Sequence, residues 1–181
     1  MNEEERYENM LGAFALAVAD RVRLETEEAI GHTGAAAAAL VTIAHFPDRT
    51  VEFLRQAVGL SHPAAVRVVD RLVDQRLVRR RPAAGGPALA LRTTAAGRRQ
   101  ARKILDTRRR VLANALPELS GPESATLSAI LARALARLAD SPGTTICRLC
   151  DQGRCRTADC PVARRQVELG APPPEPEPLD D

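Results

Sequence analysis

The sequence predicts a mainly α-helical protein that carries one small β-hairpin. Alanine, leucine and valine dominate its apolar content, and its 181 residues include three Phe, one Tyr and no Trp. This composition favours helix-on-helix packing over a β-sandwich, which is rich in aromatic and β-branched residues. Apolar residues also recur every three or four positions in several segments, as amphipathic helices require. The chain is long enough for one well-cored domain with an appendage.

Six helices are predicted, each bounded by capping or breaking residues. Thr50, Ser61 and Thr94 can each serve as an N-cap, and Ser120 with Glu123 forms a capping-box pair. His45, at the end of an apolar helix, is interpreted as a surface residue or a cap. The predicted helices cover 3–30, 34–46, 51–58, 61 to about 75, about 95–115, and the segment from Ser120 to the break at 141–143.

Two of these helices have the spacing of a helix-turn-helix. Gly59 stands where the first of the two would end in a left-handed turn, and Ser61 opens the second. The stretch LVRRRPAAGGPALALRT follows and predicts two strands, 77–81 and 88–92, around a Pro/Gly turn. A helix-turn-helix followed by two strands is a winged helix, so we expect a winged helix-turn-helix flanked by further helices.

Charge is distributed unevenly along the chain. Residues 67–110 hold fourteen basic and three acidic side chains, whereas residues 1–32 hold three basic and eight acidic ones. The tail from residue 166 onward has five acidic side chains and no basic one. A basic segment between acidic ends is typical of a surface that binds a polyanion. A solvated arginine-rich face is the alternative, but it does not explain the clustering.

The basic segment resembles the winged helix-turn-helix of the MarR family of bacterial transcription regulators. The resemblance lies in GLSHPAAVRVVDRLVDQRLVRRRP and LALRTTAAGRR, most specifically V-x-x-V-D-R-L-V-x-x-x-L-V-x-R-x-P from Val66 and T-x-x-G at Thr94–Gly97. It extends over about residues 5–140. It implies a homodimer formed by the first and last helices, which binds a double-stranded DNA operator. It also implies a small-molecule effector, since many family members release DNA when a small aromatic ligand binds.

Ten residues are expected to contact DNA. Residues at the start of a recognition helix meet base edges, and Arg67 one turn on can pair with guanine or clamp a phosphate. Arg71 is expected at the DNA backbone, and a salt bridge to Asp70 or Asp74 is the alternative for both arginines. The ten residues are Ser61, His62, Pro63, Ala64, Arg67, Arg71, Arg79, Arg80, Arg81 and Arg92.

The wing departs from the family pattern. Wings of this family commonly carry D-x-R at the tip, and the corresponding positions here are Gly85 and Pro87. We therefore expect the arginines at the base of the wing to contact phosphates, with little reading of sequence by the wing.

All four cysteines fall within CRLCDQGRCRTADCPV, at Cys147, Cys150, Cys155 and Cys160. Four thiolates around one zinc make a closed tetrahedral site, and the C-x2-C-x4-C-x4-C spacing is that of a zinc knuckle with its His replaced by Cys. A proline directly after the last cysteine is also typical of ferredoxin-type iron–sulfur clusters. A metal-free dithiol switch is the third interpretation. We expect zinc as the cofactor, with an iron–sulfur cluster as the alternative.

The predicted organisation has five parts. We expect a DNA-binding regulator in the cytoplasm, because no secretory signal or spanning segment is visible and clustered thiols suit a reducing compartment. We do not expect an enzyme; a thiol or metal enzyme is the alternative from another class, and the cysteine cluster has no nearby His to support it. The parts are a dimerisation helix at 1–32, the winged helix at 33–97, dimerisation helices at 98–140, the cysteine segment at 141–165 and a disordered Pro-rich tail at 166–181.

Overall fold

The structure is a computed structural model that describes residues 2–31, 34–83, 88–143, 145–155 and 158–179. The described residues form seven helices and three strands, so the predicted fold class, mainly α with a winged helix-turn-helix, is confirmed. The elements are α1 (Glu3–Ile30), α2 (Gly34–His45), β1 (Arg49–Thr50), α3 (Val51–Val58), α4 (His62–Asp74), β2 (Val78–Pro82), β3 (Leu89–Thr93), α5 (Ala95–Ala115), α6 (Gly121–Leu138) and α7 (Pro161–Glu168).

The wing is a three-stranded antiparallel sheet in the order β1-β3-β2. Strands β2 and β3 form the predicted hairpin one residue later than expected, with Arg79 opposite Arg92. Strand β1 was not predicted: its Arg49 pairs with Leu91 of β3. A two-residue strand has no periodicity to recognise, and it exists only because β3 offers it an edge.

The T-x-x-G motif joins the wing to α5. The Thr94 hydroxyl accepts a hydrogen bond from the Gly97 amide at 3.0 Å and donates one to the Arg76 carbonyl at 2.8 Å. A Cβ on Gly97 would lie 2.0 Å from the Leu77 carbonyl oxygen, so only glycine fits. The motif therefore sets the start of a helix and fixes how closely that helix approaches the turn before the wing.

The core of the protein is built around α2, which is buried along almost its whole length. Its alanine-rich sequence lets neighbouring helices approach closely, and its larger residues pack against α3, α4, α5 and β3. Helix α1 lies mainly against α5. The largest buried apolar side chains, each at most 1% exposed, are Leu40, Leu54, Leu72, Leu91 and Ile104. The winged helix thus has a complete core.

Helix α6 stands apart from this core and has no buried residue. Its C-terminal end meets α7, where Ala139, Cys160, Val162 and Ala163 form a second, smaller buried cluster. In the described parts of the chain, no helix is long and apolar enough to span a bilayer.

The C-terminal segment contacts the rest of the protein at two points. Residue 166, where the predicted tail begins, lies inside α7. The Glu177 amide donates to the His45 carbonyl at 2.7 Å, and Leu179 packs against the main core. Disorder of the Pro-rich tail stays a prediction.

Candidate nucleic-acid interface and four-cysteine module

Helix α4 presents a basic face to solvent. It begins at the Ser61 cap, whose hydroxyl accepts a hydrogen bond from the Ala64 amide at 3.4 Å. The helix buries Ala65, Val69 and Leu72 against the core. Those positions recur every three or four residues, and the exposed positions between them include Arg67 and Arg71.

The arginines of α4 are available to a ligand. Within the part of the chain that the structure describes, neither Arg67 nor Arg71 forms a salt bridge to Asp70 or Asp74. Asp70 instead accepts a hydrogen bond from Arg80 of β2 at 2.6 Å. Arg80, which is predicted to contact phosphate, therefore links β2 of the wing to α4 through Asp70.

The start of α4 lies beside a carboxylate. His62 is exposed, and its Nδ1 lies 3.9 Å from Glu52 of α3. Arg55 donates two hydrogen bonds to Glu52, at 2.7 and 2.6 Å, and these lower the pKa of the Glu52 carboxyl. The Arg55 guanidinium, on the same helix, thus balances the negative charge of Glu52. The start of α4, which is predicted to face DNA, is therefore not next to an unpaired carboxylate.

The wing divides its arginines between two tasks. Arg79 and Arg81 are exposed on β2, as a phosphate contact requires. Arg92 of β3 instead forms a bidentate ion pair with Asp48, and its hydrogen bonds lower the pKa of that carboxyl. The pair joins the turn before β1 to the sheet, and contact of Arg92 with phosphate stays a prediction. Gly85 and Pro87, at the predicted wing tip, lie outside the described residues.

These features define a winged helix-turn-helix whose second helix bears exposed arginines. Residues 30–86 match a family model described as the MarR family. The match contains α2, the helix-turn-helix and the first strand of the wing hairpin. The cysteine segment lies outside it. Among curated proteins, no match to this sequence is found.

Solved structures of MarR-type regulators share the fold. RV1404 from Mycobacterium tuberculosis is 21% identical, with a TM-score of 0.61 over 80% of this chain and 97% of its own. MepR of Staphylococcus aureus, a transcription regulator of a multidrug efflux pump, is 15% identical, with a TM-score of 0.63 over 73% and 98%. A MepR variant bound to an oligodeoxyribonucleotide is 15% identical, with a TM-score of 0.54 over 73% and 97%. At these identities the likeness shows the fold alone.

The four cysteines are free thiols that line one cavity between the C-terminal segment and helices α2 and α3. They lie close enough to shift one another's pKa: Cys147 interacts with Cys150 and Cys160, and Cys155 interacts with Cys160. The hydrogen bond from Cys147 lowers the pKa of the Cys150 thiol to about 6, and the same bond raises the pKa of Cys147. Loss of hydration raises the pKa of Cys155 to about 11.

Over the described residues, no three His, Cys, Asp or Glu side chains are grouped so that they could hold a metal ion. One shared metal site for all four cysteines, which their spacing predicts, stays a prediction. Zinc, the iron–sulfur cluster and the dithiol switch all remain predictions.

His45 joins the cysteine segment to the winged-helix lobe, by which we mean the elements from α2 to α5. The side chain is fully buried at the end of α2, where the sequence predicted a surface residue or a cap. Its Nε2 accepts a hydrogen bond from the Gln152 amide at 3.3 Å, and its Nδ1 lies 3.0 Å from the Glu177 carbonyl oxygen. Burial lowers the pKa of His45, so the neutral ring donates through Nδ1 and accepts through Nε2.

Two further contacts make the same junction. Thr145 lies over Gly59, the glycine of the helix-turn-helix, so closely that a Cβ there would be 3.0 Å from a Thr145 methyl. Leu149 packs against the main core. We call residues 145–155 and 158–168 the four-cysteine module. The only sequence signal for its docking was a histidine within an otherwise apolar helix.

Proposed function

We propose that this chain is a dimeric, sequence-specific DNA-binding transcription regulator of the cytoplasm that acts as a repressor and is not an enzyme. The observation that carries the proposal is the pair of exposed arginines on α4, Arg67 and Arg71, which have no acidic partner in the described structure. In a winged helix, this face of the second helix enters the major groove. Release from the operator would follow binding of a small molecule or a change of state at the cysteines.

Two kinds of arginine contact are proposed. Arg67, near the start of α4, pairs with a base edge, since a guanidinium matches the two acceptors of guanine. Arg79 and Arg81, exposed on the wing, neutralise phosphates and carry little sequence information. The structural neighbour bound to an oligodeoxyribonucleotide supports DNA as the partner of this fold.

The DNA contacts are tested by matched arginine substitutions. Arg67→Ala is expected to cost about 1–3 kcal/mol of operator affinity and to relax preference at one position per half-site. Arg79→Ala is expected to weaken all sequences alike and to reduce the salt slope by about one unit. Arg164→Ala, at an exposed arginine of α7, is the control and should change neither. Equal effects of Arg67→Ala on specific and random DNA would contradict base reading by α4.

The dimer is proposed from two apolar surfaces that the single chain leaves uncovered. On α1, Tyr7, Met10, Leu11 and Phe14 are 43–59% exposed, although large apolar side chains normally find a partner. On α6, the apolar face includes Ile130, Leu131 and Leu138 at 48–67% exposure. Burial of these apolar side chains against a second copy of the chain would give both helices a partner.

Charged substitution on α1 tests the dimer. Leu11→Glu should give monomers with weakened operator binding, because a carboxylate would be buried without a partner in the interface. Glu4→Gln, on the same helix, is the control and should leave the dimer intact. Analytical ultracentrifugation measures both, and intact dimers for Leu11→Glu would remove this face from the interface.

We further propose that the four cysteines bind one zinc ion as four thiolates. The support is that Cys147, Cys150, Cys155 and Cys160 line one cavity and that their thiols are free. Small movements would bring such a set around one ion at the Zn–S distance of roughly 2.3 Å. An iron–sulfur cluster and a metal-free dithiol switch are the alternatives.

Metal analysis and absorption spectra of anaerobically purified protein separate these alternatives. One zinc per chain in a colourless solution supports the proposal, whereas a brown solution containing iron and sulfide supports a cluster. Cys150→Ser should remove most of the zinc, because a shared site fails as a unit. Ser141→Ala is the control. Zinc content that falls by only a quarter per cysteine removed would contradict a shared site.

A further inference from the structure

The chain turns back toward the winged-helix lobe directly after α7. The Gly170 amide donates to the Val167 carbonyl at 3.0 Å, and the Ala171 amide donates to the Gln166 carbonyl at 2.9 Å. Gly170 has a φ of 73°, in the left-handed region that favours glycine at the end of a helix. The segment that follows leads from the four-cysteine module to the end of α2, and we call residues 171–179 the strap.

The sequence of the strap favours a stiff, extended segment. Five of its nine residues are proline, which has no amide hydrogen, so beyond Ala171 only Glu175, Glu177 and Leu179 can donate a backbone hydrogen bond. Proline-rich segments favour the polyproline II conformation, which rises about 3.1 Å per residue, so the strap can reach about 25 Å. Because such a segment has little conformational freedom to lose, docking it against a surface costs little entropy.

The far end of the strap is anchored on the winged-helix lobe. The Glu177 amide donates to the His45 carbonyl at 2.7 Å, and the His45 Nδ1 lies 3.0 Å from the Glu177 carbonyl oxygen, so this pair is joined twice. Leu179 packs against the main core. Between these anchors, Pro178 lies against the loop that carries the cysteines, where a Cβ on Gly153 would be 3.1 Å from the Pro178 Cα. This end of the strap therefore contacts both the lobe and the module.

The middle of the strap borders the cavity that the four cysteines line. The cavity has a volume of about 250 Å³, and residues 172–174 form one of its sides. Cys155 is exposed, whereas the other three thiols are buried or half-buried, so access to those three depends on the walls of the cavity. Residues 172–174 belong to no helix or strand, so this wall can move without unfolding either buried core.

We propose that the strap covers the cysteine cavity and controls access to it. While His45 and Leu179 hold the strap, metal ions and oxidants enter slowly, and release of the strap admits them. The strap is then docked in the native protein, in contrast to the disorder that its composition predicts. This role depends neither on DNA binding nor on the identity of a bound metal, because access to the thiols is measured without DNA and at any fixed metal content.

Site-resolved alkylation tests the strap. The full-length protein is reduced and treated with N-ethylmaleimide at the metal content it has as purified, and mass spectrometry follows Cys147, Cys150 and Cys160. Leu179→Ser removes the apolar anchor without adding a charge near the thiols. It should speed alkylation about three- to tenfold, the change expected from losing the partial burial of one leucine. Leu179→Met is the matched control, because it keeps the apolar volume, and should react at the parent rate.

A chain that ends at Gly170 lacks the strap altogether and should react at least as fast as Leu179→Ser. Circular dichroism and the thermal midpoint show that each variant is folded, since the main core does not include residues 171–178.

Amide exchange shows whether the strap alone has moved. In Leu179→Ser, the Glu177 amide should lose protection relative to its intrinsic exchange rate. The Gln152 amide should keep its protection, because its acceptor is the His45 Nε2 and not a group of the strap.

Three results would overturn this role. Equal alkylation rates in the parent protein and in the chain that ends at Gly170 would show that residues 172–174 do not limit access. A Glu177 amide that is unprotected in the parent protein would show that the strap is free, as composition predicts. Loss of Gln152 protection together with faster alkylation would assign the effect to release of the whole module. Failure of the Arg67→Ala experiment bears on none of these.

Discussion

The winged-helix lobe and the four-cysteine module are stabilised in different ways. The lobe has a core of large apolar side chains, among them Leu54, Leu72 and Ile104, that is buried by elements close together in sequence. The buried cluster that the module forms with the end of α6 contains, among the described residues, Ala139, Cys160, Val162 and Ala163. Small residues bury little apolar area, so this cluster alone contributes little stability.

The difference shows that the module depends on the lobe for its position. Its main polar anchor, His45, belongs to the lobe, and Leu149 reaches into the core of the lobe. The lobe makes no comparable use of the module, because its helices and sheet bury one another. We therefore expect changes in the lobe to unfold the whole protein and changes at the junction to release only the module.

The largest expected effect is loss of a core side chain from the lobe. Leu72→Ala should lower the free energy of unfolding by about 2–5 kcal/mol, because Leu72 is fully buried and its removal leaves a cavity. Val167→Ala is the matched control in α7, where Val167 is 55% exposed, and should cost less than about 0.5 kcal/mol. Chemical denaturation measures both, and comparable losses would contradict the asymmetry.

The next effect concerns the contact that joins the wing to α5. Gly97→Ala should cost about 1–3 kcal/mol of stability, since the new methyl would collide with the Leu77 carbonyl. Gly121→Ala is the control, because nothing lies within 4 Å of a Cβ at that position. Thermal unfolding compares the two variants, and a Gly97→Ala protein as stable as its parent would show that the turn yields easily.

A smaller effect is expected from pH at the junction. Burial holds the pKa of His45 below its ordinary value of 6.5, so the unfolded state binds the proton more readily than the folded one. The contribution of neutral His45 is complete above the unfolded pKa and is lost as pH falls below it. Protonation of Nε2 removes the acceptor for the Gln152 amide, worth about 0.5–1.5 kcal/mol.

Amide exchange measures this release of the module. Relative to the intrinsic exchange rate at each pH, Gln152 and Glu177 should lose protection below pH 6.5, whereas the core amides of the lobe should keep theirs. His45→Phe should abolish this pH dependence of protection. Equal loss of protection at the core amides would mean that the module and the lobe open as one unit.

The smallest effect belongs to the ion pair between Asp48 and Arg92. Asp48→Asn should cost less than about 1 kcal/mol, because both side chains are partly exposed and salt screens their attraction. Hydrogen bonds from Arg92 lower the pKa of Asp48 below its usual 3.8, so the contribution is present above that value and is lost as pH falls. A double-mutant cycle with Arg92→Gln isolates the pair, and a coupling that persists in high salt would contradict this.

The exposure of the arginines proposed to contact DNA could be predicted in part. Exposure of Arg67, Arg71, Arg79 and Arg81 follows from helical and strand periodicity, because the buried positions between them are apolar. The ion pairs of Arg80 and Arg92 could not be predicted, because periodicity gives the face of a side chain and not its partner.

The sequence by itself determined where α3, α4 and α5 begin, whereas α7 was not predicted. Thr50, Ser61 and Thr94 cap their helices by hydrogen bonds to amides three residues away, so the signal and its effect share one short segment. Only the tertiary structure decided where the C-terminal segment lies and how the turn before β1 is joined to the wing. The first depends on His45 and Glu177, which are 132 residues apart, and the second on Asp48 and Arg92, which are 44 apart. Contacts at such separations form only after the core has brought the segments together, and no local pattern records them.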